Sequence, residues 1–471
     1  MTTDRNFDSG ALDCFVGIDL GSTTTKAVVL GPTGDVIGRG ITNSRSNYDL
    51  ACDLARSEAL VDAQMTRFRG ALEREPLLAS HARVLGPALE RAFRYRQHVR
   101  QLDTLASVGT ELAKDDEALA KVVSTIFGAM YHEADRAFAG LGTTHRSEFF
   151  RDVAGAQFQR LAEDQANART LPYDRIVGVF DRAILRVENE PDDLSFEGNA
   201  RAALARALER YPKAEHAVRI EAERVLAAVL EQPPNLRCTV GTGYGRARLP
   251  FPKSQIRSEI LCHGLGAHRM FPRTRTVLDI GGQDTKAIQV DERGIVTRFQ
   301  MNDRCAAGCG RYLGYIADGM NIGVHELGPL AERSTRQVRI SSTCTVFAGA
   351  ELRERLSLGE RREDILAGLH RAIILRAMSL LARSGGVEEE LTFTGGVAHN
   401  AMAVRVLTEL VAENYGARTL NVSPSSIYTG ALGAAMFAKR HAEGADEPLP
   451  ELEASGDSDL AGNDLVNEVS A

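Results

Sequence analysis

One sequence motif occurs twice in the chain, and it limits the folds that the chain can adopt. Residues 14–30 read CFVGIDLGSTTTKAVVL, and residues 276–290 read TVLDIGGQDTKAIQV. Each copy has an apolar run, an aspartate, a glycine two residues later, a polar turn, a lysine and a second apolar run. This pattern predicts two buried strands joined by a tight turn. Two copies 260 residues apart predict duplicated half-domains whose turns face one another.

The two turns have the composition of a phosphate site. Backbone amides and hydroxyls of such a turn can surround phosphate oxygens, and an aspartate at the strand end can hold Mg²⁺ through water. We expect Asp19 and Asp279 to hold magnesium, and Gln283 and Asp284 to polarise an attacking water. The candidate phosphate-binding residues are Gly21, Ser22, Thr23, Thr24, Lys26, Gly281, Gly282 and Lys286. Either turn taken alone also fits an ordinary hairpin.

Three further segments accompany the repeated motif. Residues 391–400, LTFTGGVAHN, predict a strand, a glycine turn and a helix on which adenosine or ribose lies flat. The candidate residues there are Gly395, Gly396, Val397 and Asn400, with Gly430 in the small-residue helix that begins near Tyr428. Another helix is predicted to begin at Ser258. Glu259 of this helix could orient a water, but we favour a structural role for it. Cys262 and His263 are adjacent and do not share a helix face, which argues against a metal pair.

The chain is predicted to be an α/β protein with a large helical insertion. Between residues 47 and 234 apolar residues recur at helical spacing, with examples in 50–74 and 199–230. The predicted parts are an N-terminal extension (1–13), a first subdomain (14–46 and 235–275, with 426–441 returning), the helical insertion (47–234), a second subdomain (276–425) and an acidic disordered tail (442–471). The insertion contains no motif that suggests catalysis.

Composition narrows the class of protein. The net charge is −7, but nine acidic residues follow Arg440, so the rest of the chain sums to +2. That near-neutral body argues against nucleic-acid binding. The sequence contains no run of about twenty apolar residues, so no membrane-spanning helix is expected. The N-terminal residues do not resemble a signal peptide. The seven cysteines have no framework spacing, which predicts a reducing cytoplasm where thiols serve metals or chemistry.

Two cysteines lie in loops of small residues. Residues 301–311 read MNDRCAAGCGR, and residues 340–347 read ISSTCTVF, which place Cys305 and Cys344 where a thiolate can approach a bulky inorganic centre. Two thiolates cannot complete the four ligands of a [4Fe-4S] cluster, so a second subunit would have to supply the other pair. Two buried core cysteines are the alternative interpretation.

Together these segments resemble the acetate kinase, sugar kinase, Hsp70 and actin superfamily of two-domain, ribonuclease H-like ATPases. IDLGSTTTK and LDIGGQDTK correspond to its two phosphate loops, FTGGVAHN to its adenosine motif and YTGALGAA to its second connecting helix. The cysteine loops are similar to those of the BadF/BadG/BcrA/BcrD ATPase family, which includes activators of 2-hydroxyacyl-CoA dehydratases and ATP-hydrolysing subunits of benzoyl-CoA reductase. The resemblance covers residues 14–45 and 236–440.

The resemblance implies ATP, Mg²⁺ and a [4Fe-4S] cluster that bridges two subunits, with Cys305 and Cys344 as ligands. Cys309 stands where the family has threonine, either as an extra ligand or, as we favour, a simple thiol. The long insertion is similar to the larger ATPase subunit of benzoyl-CoA reductase. The resemblance therefore implies, as first choice, a subunit that couples ATP hydrolysis to electron delivery for reduction of the aromatic ring of benzoyl-CoA. The implied partners are a shorter homologous ATPase subunit, two catalytic reductase subunits and ferredoxin as electron donor, without nucleic acid or membrane. The alternatives are a dehydratase activator, a small-molecule kinase and a non-catalytic scaffold.

Overall fold

The structure is a computed structural model that describes residues 12–44, 47–140, 149–169, 171–189, 195–243, 249–302, 309–336, 338–340 and 345–445. The predicted cluster ligands Cys305 and Cys344 lie outside the described residues, as do most of the predicted N-terminal extension and tail. The chain divides into two compact units. The first comprises Met1–Cys14 and Val29–Arg237, and the second comprises Phe15–Val28 and Cys238–Ala471. The subdomain boundaries given above stay a prediction.

The described residues contain two β-sheets. Their strands are β1 (Leu12–Leu20), β2 (Thr24–Leu30), β3 (Val36–Asn43), β4 (Pro234–Thr242), β5 (Thr276–Ile280), β6 (Thr285–Val290), β7 (Val296–Asn302), β8 (Glu390–Thr394) and β9 (Thr419–Val422). One sheet has the order β3-β2-β1-β4 and the other β7-β6-β5-β8-β9. The predicted strand pairs of both repeated motifs are therefore confirmed. In the first motif β1 continues one residue past Asp19, and β2 begins at Thr24, so Lys26 lies inside a strand.

Helices make up most of the remaining described chain. They are α1 (Tyr48–Arg74), α2 (Ala82–Ala113), α3 (Glu117–Ala137), α4 (Phe150–Arg169), α5 (Tyr173–Asn189), α6 (Phe196–Arg210), α7 (His216–Leu230), α8 (Glu259–Met270), α9 (Gly310–Met320), α10 (Val324–Ala331), α11 (Thr345–Ser357), α12 (Arg362–Ser384), α13 (Ala401–Tyr415) and α14 (Thr429–Ala442). The segment 199–230, an example of the predicted helical spacing, is divided between α6 and α7. Pro212 lies just after the end of α6, and proline cannot continue a helix.

The helices of the first unit enclose two apolar cores. Phe68 and Leu89 belong to the first core, which α1, the start of α2, α6 and α7 form. Phe127 and Phe158 belong to the second, which the end of α2, α3, α4 and α5 form. The 32-residue helix α2 contributes to both cores, because it is about 48 Å long. Between residues 48 and 230 the described chain contains helices and no strand, in agreement with the helical pattern of the sequence.

Close backbone packing fixes the position of α8 in the second unit. A Cβ on Gly433 of α14 would come 1.9 Å from the carbonyl oxygen of Cys262, and one on Gly266 would come 2.0 Å from that of Thr429. A Cβ on Gly17 of β1 would come 2.1 Å from the carbonyl oxygen of Ala431. The small-residue helix predicted from the sequence is therefore α14, and it holds α8 and β1 close to itself.

One described helix, α12, is long and apolar enough to cross a membrane. In this structure 72% of its most apolar 18-residue window is buried inside the protein. Core helices meet the same criterion, so α12 is weak evidence for a membrane span.

Candidate active site

The turns of the two repeated motifs lie against each other within the second unit. A Cβ on Gly282 would come 2.9 Å from the Thr23 hydroxyl and 3.8 Å from the Ser22 hydroxyl. The first turn is closed by a hydrogen bond from the Gly21 amide to the Asp19 carbonyl (3.2 Å), and the second by one from the Gly281 amide to the Asp284 carbonyl (3.0 Å). The prediction that the two turns face one another is therefore confirmed.

The two predicted magnesium residues are buried at the ends of central strands. Asp19 is 5% exposed and Asp279 is 2% exposed. Asp279 lies opposite Lys286 in the antiparallel β5–β6 pair and beside Thr394 in the parallel β5–β8 pair. The Thr394 hydroxyl donates a hydrogen bond of 2.8 Å to Asp279 Oδ1. Strand register therefore determines which side chains surround this carboxylate.

Lys286 is buried among carboxylates, and this changes the role expected for it. It is 1% exposed, and its Nζ lies 2.7 Å from Asp284, 2.9 Å from Glu259 and 3.5 Å from Asp279. Burial alone would lower the pKa of Lys286, but these three carboxylates raise it above its ordinary value. All three of these carboxylates compete with any phosphate for this ammonium group.

Lys26 is the lysine that faces the first turn. Its Nζ lies 3.5 Å from the position that a Cβ on Gly21 would occupy, and the side chain is only partly buried. Lys26 also lowers the pKa of Asp19, although burial has the larger effect and leaves that pKa raised. Of the two lysines predicted to reach phosphate, Lys26 has the more suitable position.

His263 lies among the same acidic groups, a role that the sequence analysis did not predict. It is 6% exposed on α8, and its Nδ1 lies 3.3 Å from Asp279 Oδ1. Its Nε2 lies 3.9 Å from Asp19 Oδ2 and 3.8 Å from Glu259 Oε1. Burial would lower the pKa of His263, but the carboxylates of Asp279 and Asp19 raise it to about 9. Its ring therefore lies between the aspartates of both motifs.

The two aspartates differ in electrostatic environment. Burial would raise the pKa of Asp279, but His263 and Lys286 hold it well below its ordinary value. Burial dominates at Asp19, whose pKa is raised, and its buried Oδ1 has no hydrogen-bond partner. A buried, unsatisfied carboxylate oxygen is the kind of ligand that a hard divalent cation takes. Donor atoms of Asp19, Glu259 and His263 lie within 4.8 Å of one another. The two carboxylates supply the oxygen ligands that Mg²⁺ takes, whereas His263, with its pKa raised to about 9, pairs with the carboxylates instead.

The proposed water-polarising residues have different surroundings. Asp284 is engaged by Lys286, as described above. Gln283 is partly exposed in the second turn. Of the two, Gln283 therefore has the side chain that is accessible from the turn.

The predicted adenosine residues follow β8. Gly395 has φ 85°, and a Cβ there would come 2.3 Å from the Ile280 carbonyl oxygen, so only glycine fits. The side-chain carbonyl oxygen of Asn400 accepts a hydrogen bond from the Ala403 amide, and its amide nitrogen lies 2.9 Å from His370 Nε2. The Asn400 side chain thus fixes the start of α13. Gly430 lies elsewhere: a Cβ there would come 2.7 Å from Asp19 Oδ2 and 2.8 Å from His263 Nε2.

The second turn is also bonded to the start of α9. The Gly310 amide donates to the Gly281 carbonyl, and the Arg311 amide donates to the Gly282 carbonyl, both at 2.8 Å. Cys309, buried to 1% exposure, is the residue before the helix. The segment that follows the first cysteine loop is therefore attached to the second turn through two backbone hydrogen bonds.

His263 was missed from the sequence, whereas Glu259 was expected to be structural and pairs with Lys286 at 2.9 Å. The two residues are four apart on α8, so they project from the same helix face. That spacing was the available signal, but only the packing of α8 shows that this face meets the aspartates. The argument against pairing Cys262 with His263 remains valid.

Comparisons with known proteins agree with this geometry. The model of the BadF/BadG/BcrA/BcrD ATPase family matches residues 16–438. The (R)-2-hydroxyglutaryl-CoA dehydratase activating ATPase of Acidaminococcus fermentans is 43% identical over 223 residues, which are 46% of this chain and 83% of that protein. A subunit of the benzoyl-CoA reductase of Thauera aromatica is 35% identical over 180 residues, which are 38% of this chain and 64% of that protein.

A solved structure shows the same fold. The crystal structure of the A. fermentans (R)-2-hydroxyglutaryl-CoA dehydratase component A superposes with a TM-score of 0.52 at 24% identity, and the match covers 91% of this chain and 99% of that one. The α/β fold of the acetate kinase, Hsp70 and actin type predicted from the sequence is therefore confirmed.

Proposed function

Because the chain belongs to the BadF/BadG/BcrA/BcrD ATPase family, we propose that it hydrolyses ATP to deliver low-potential electrons from a [4Fe-4S] cluster to an enzyme acting on an acyl-CoA. The observation that carries the ATPase part is the close approach of the two aspartate turns, at 2.9 Å between Thr23 and the position of a Gly282 Cβ. Two opposed turns can enclose a row of phosphates.

Different residues of this chain have different roles in phosphoryl transfer. Most of that work is positioning and neutralising charge. Amides and hydroxyls of the two turns bind phosphate oxygens, and Lys26 reaches them from β2. Asp19 and Asp279 would hold Mg²⁺ through water, and Mg²⁺ when bound neutralises phosphate charge. Gln283 orients the attacking water, while Lys286 and Glu259 keep the carboxylates of the second motif in place.

Cys305 and Cys344 would hold the cluster, together with two cysteines of a second subunit. Their thiolates have the donor chemistry that a [4Fe-4S] cluster requires. The cluster supplies one-electron transfer when bound. Support for a link to the nucleotide comes from α9, whose first two amides bond to the carbonyls of Gly281 and Gly282. A displacement of the second turn is passed to the start of this helix, which lies close to Cys305 in sequence.

The size of this coupling is sufficient to matter. One electron through about 59 mV corresponds to about 1.4 kcal/mol. A differential of about 1–3 kcal/mol between nucleotide states, the typical coupling between two sites, moves a one-electron potential by roughly 40 to 130 mV. Nucleotide state therefore changes how strongly the cluster donates an electron, or how the protein docks on its acceptor.

We place the activation of a 2-hydroxyacyl-CoA dehydratase first among acceptors. The long insertion by itself predicted a subunit of benzoyl-CoA reductase. The dehydratase activator is the more similar relative, at 43% identity over 83% of its length against 35% over 64% for the reductase subunit. Benzoyl-CoA reductase remains the second candidate, with a shorter ATPase subunit, two catalytic subunits and ferredoxin. The observation that favours it is the helical block from α1 to α7.

Substitution of the aspartates tests the ATPase assignment. Asp19→Asn and Asp279→Asn should each abolish ATP hydrolysis, because an amide binds Mg²⁺ and its waters less well than a carboxylate, while iron content stays unchanged. Asp35→Asn is the matched control, since Asp35 lies in the turn between β2 and β3, where it accepts a hydrogen bond from Thr33. Near-normal turnover in both aspartate variants would exclude this site as the place of hydrolysis.

The acceptor is tested with purified partners. The anaerobically reduced protein with ATP is mixed with a 2-hydroxyacyl-CoA dehydratase or with the catalytic subunits of benzoyl-CoA reductase. An activator sustains many dehydrations per ATP hydrolysed, because it delivers electrons only to start the enzyme. A reductase subunit requires ATP in every turnover. A colourless protein without iron or sulfide would instead favour a small-molecule kinase.

A further inference from the structure

We propose that His263 is a positioning residue of the hydrolytic site, which holds the carboxylates of Asp19 and Asp279 at a fixed separation and thereby keeps the two phosphate turns in register. This inference rests on the proposed ATPase function. It assigns a role to a buried residue outside both repeated motifs.

The geometry places the imidazole ring as a bridge. Nδ1 faces Asp279 at 3.3 Å, and Nε2 faces Asp19 at 3.9 Å. The two ring nitrogens point in different directions, so one side chain forms an ion pair with the aspartate of each motif. Nδ1 has no hydrogen-bond partner, so the bridge acts by charge and packing. A Cβ on Gly430 would fall 2.8 Å from Nε2 and 2.7 Å from Asp19. A larger residue than glycine at position 430 would therefore collide with the His263–Asp19 pair.

The backbone beneath His263 cannot move away easily. The carbonyl oxygen of Cys262 meets Gly433 of α14, and Gly266 meets the carbonyl oxygen of Thr429, as described above. A Cβ at either glycine would overlap the opposing carbonyl oxygen, so the two backbones can approach this closely only with glycine at both positions. The ring is therefore presented from a backbone position that α14 determines, and its distance to each aspartate is set by the packing of α8.

Glu259 gives the bridge a second attachment. It lies one helical turn before His263, 3.8 Å from Nε2, and it bonds Lys286 at 2.9 Å. Lys286 in turn contacts Asp279 and Asp284 of the second motif. One face of α8 thus contacts the second motif through both His263 and Glu259, and it contacts the first motif through His263.

Loss of the bridge should affect the rate of hydrolysis more than nucleotide binding. The phosphate turns and the adenosine segment keep their own hydrogen bonds without His263. The aspartates, however, lose the group that fixes their spacing, and a misplacement of about 1 Å can reduce a rate by about 100-fold. A side chain that only fills space would instead alter melting temperature and affinity together with the rate.

Three substitutions test the bridge: His263→Ala, His263→Asn and His263→Gln. Asparagine keeps a donor near the position of Nδ1, and glutamine keeps one near the position of Nε2. Cys262→Ala is the matched control for packing damage, because the neighbouring Cys262 is 0% exposed on the same helix. Steady-state ATPase kinetics give kcat and KM, equilibrium titration gives the ADP affinity, and calorimetry gives the melting temperature.

We expect His263→Ala to lower kcat by about 100-fold while the KM for MgATP and the ADP affinity change less than about threefold. His263→Asn should recover at least about tenfold of that loss, because it preserves the shorter contact. Cys262→Ala should hydrolyse ATP at nearly the wild-type rate. A kcat for His263→Ala within about threefold of wild type would overturn the inference, as would an equal loss in Cys262→Ala or in ADP affinity. An inactive wild-type protein would instead refute the proposed function.

Discussion

Lys286 offers a sharp test of how the site is built, because its two possible roles predict opposite behaviour. The structure places its ammonium group at 1% exposure in contact with Glu259, Asp279 and Asp284. We predict that Lys286→Met damages folding stability, whereas Lys26→Met damages ATP binding. A phosphate-binding role for Lys286 would give the reverse.

The expected loss follows from what the substitution leaves behind. Removing one partner of a buried ion pair costs about 3–5 kcal/mol, because the remaining charge is buried without compensation. Asp279 keeps the Thr394 hydrogen bond and His263, but Asp284 and Glu259 lose their shortest ionic contact. For a cooperative unit of 150–250 residues, about 1 kcal/mol shifts the melting temperature by about 2–4 °C. We therefore expect a decrease of roughly 6–20 °C.

Calorimetry and ATPase kinetics on the same preparations separate the two roles. Lys26→Met should melt close to wild type and raise the KM for ATP by about tenfold or more, which is the value of a hydrogen bond to a charged group. Lys439→Met is the control, because Lys439 forms a surface pair with Glu443 one turn away. A Lys286→Met protein that melts within about 2 °C of wild type but binds ATP weakly would refute this reasoning.

Three further predictions concern other parts of the chain. Gly430→Ala should lower kcat without preventing folding, because its Cβ would lie 2.7 Å from Asp19; wild-type kinetics would contradict the crowding. His98 lies between Phe138 and Phe150, and burial lowers its pKa from 6.5 to about 4. The unfolded chain therefore binds a proton at His98 before the folded protein does. The stability that this residue contributes is present above pH 6.5 and is lost as pH falls towards 4. Urea unfolding should show that His98→Phe removes about 2 kcal/mol of the wild-type loss between pH 7.5 and 5; equal losses in both proteins would contradict this. Excising residues 47–233 should leave ATP binding intact and weaken assembly with partner subunits, measured by calorimetry and size-exclusion chromatography; normal assembly would show that the helical block has no docking role.

The repeated motifs were readable from the sequence because their signal is local. A strand, an aspartate and a glycine turn leave the same pattern in both copies, and their facing arrangement follows from duplication. The predicted strands, the start of α8 and the helix α14 were correct for the same reason. Each is marked by apolar runs, by a serine at the helix start or by a run of small residues.

The surroundings of the aspartates were not readable, because they depend on packing between distant segments. Lys286 follows the second turn as Lys26 follows the first, so the motif alone predicts the same role for both. Only the register that pairs Lys286 with Asp279, together with the approach of α8, shows that Lys286 is enclosed. His263 is 16 residues from Asp279 in sequence and 244 from Asp19. Its position depends on the close contacts between α8 and α14, which no local pattern encodes.

An ATP-hydrolysing subunit that shares a cluster with a second subunit has to contain iron and acid-labile sulfide. Both contents are measured, together with the EPR spectrum, in the anaerobically prepared protein and three cysteine variants. A bridging [4Fe-4S] cluster predicts about two iron atoms per chain, lost in both Cys305→Ser and Cys344→Ser and retained in Cys309→Thr. Wild-type iron in either serine variant, or loss of the cluster in Cys309→Thr, would contradict the assigned ligands. Wild-type protein without iron would contradict the shared cluster.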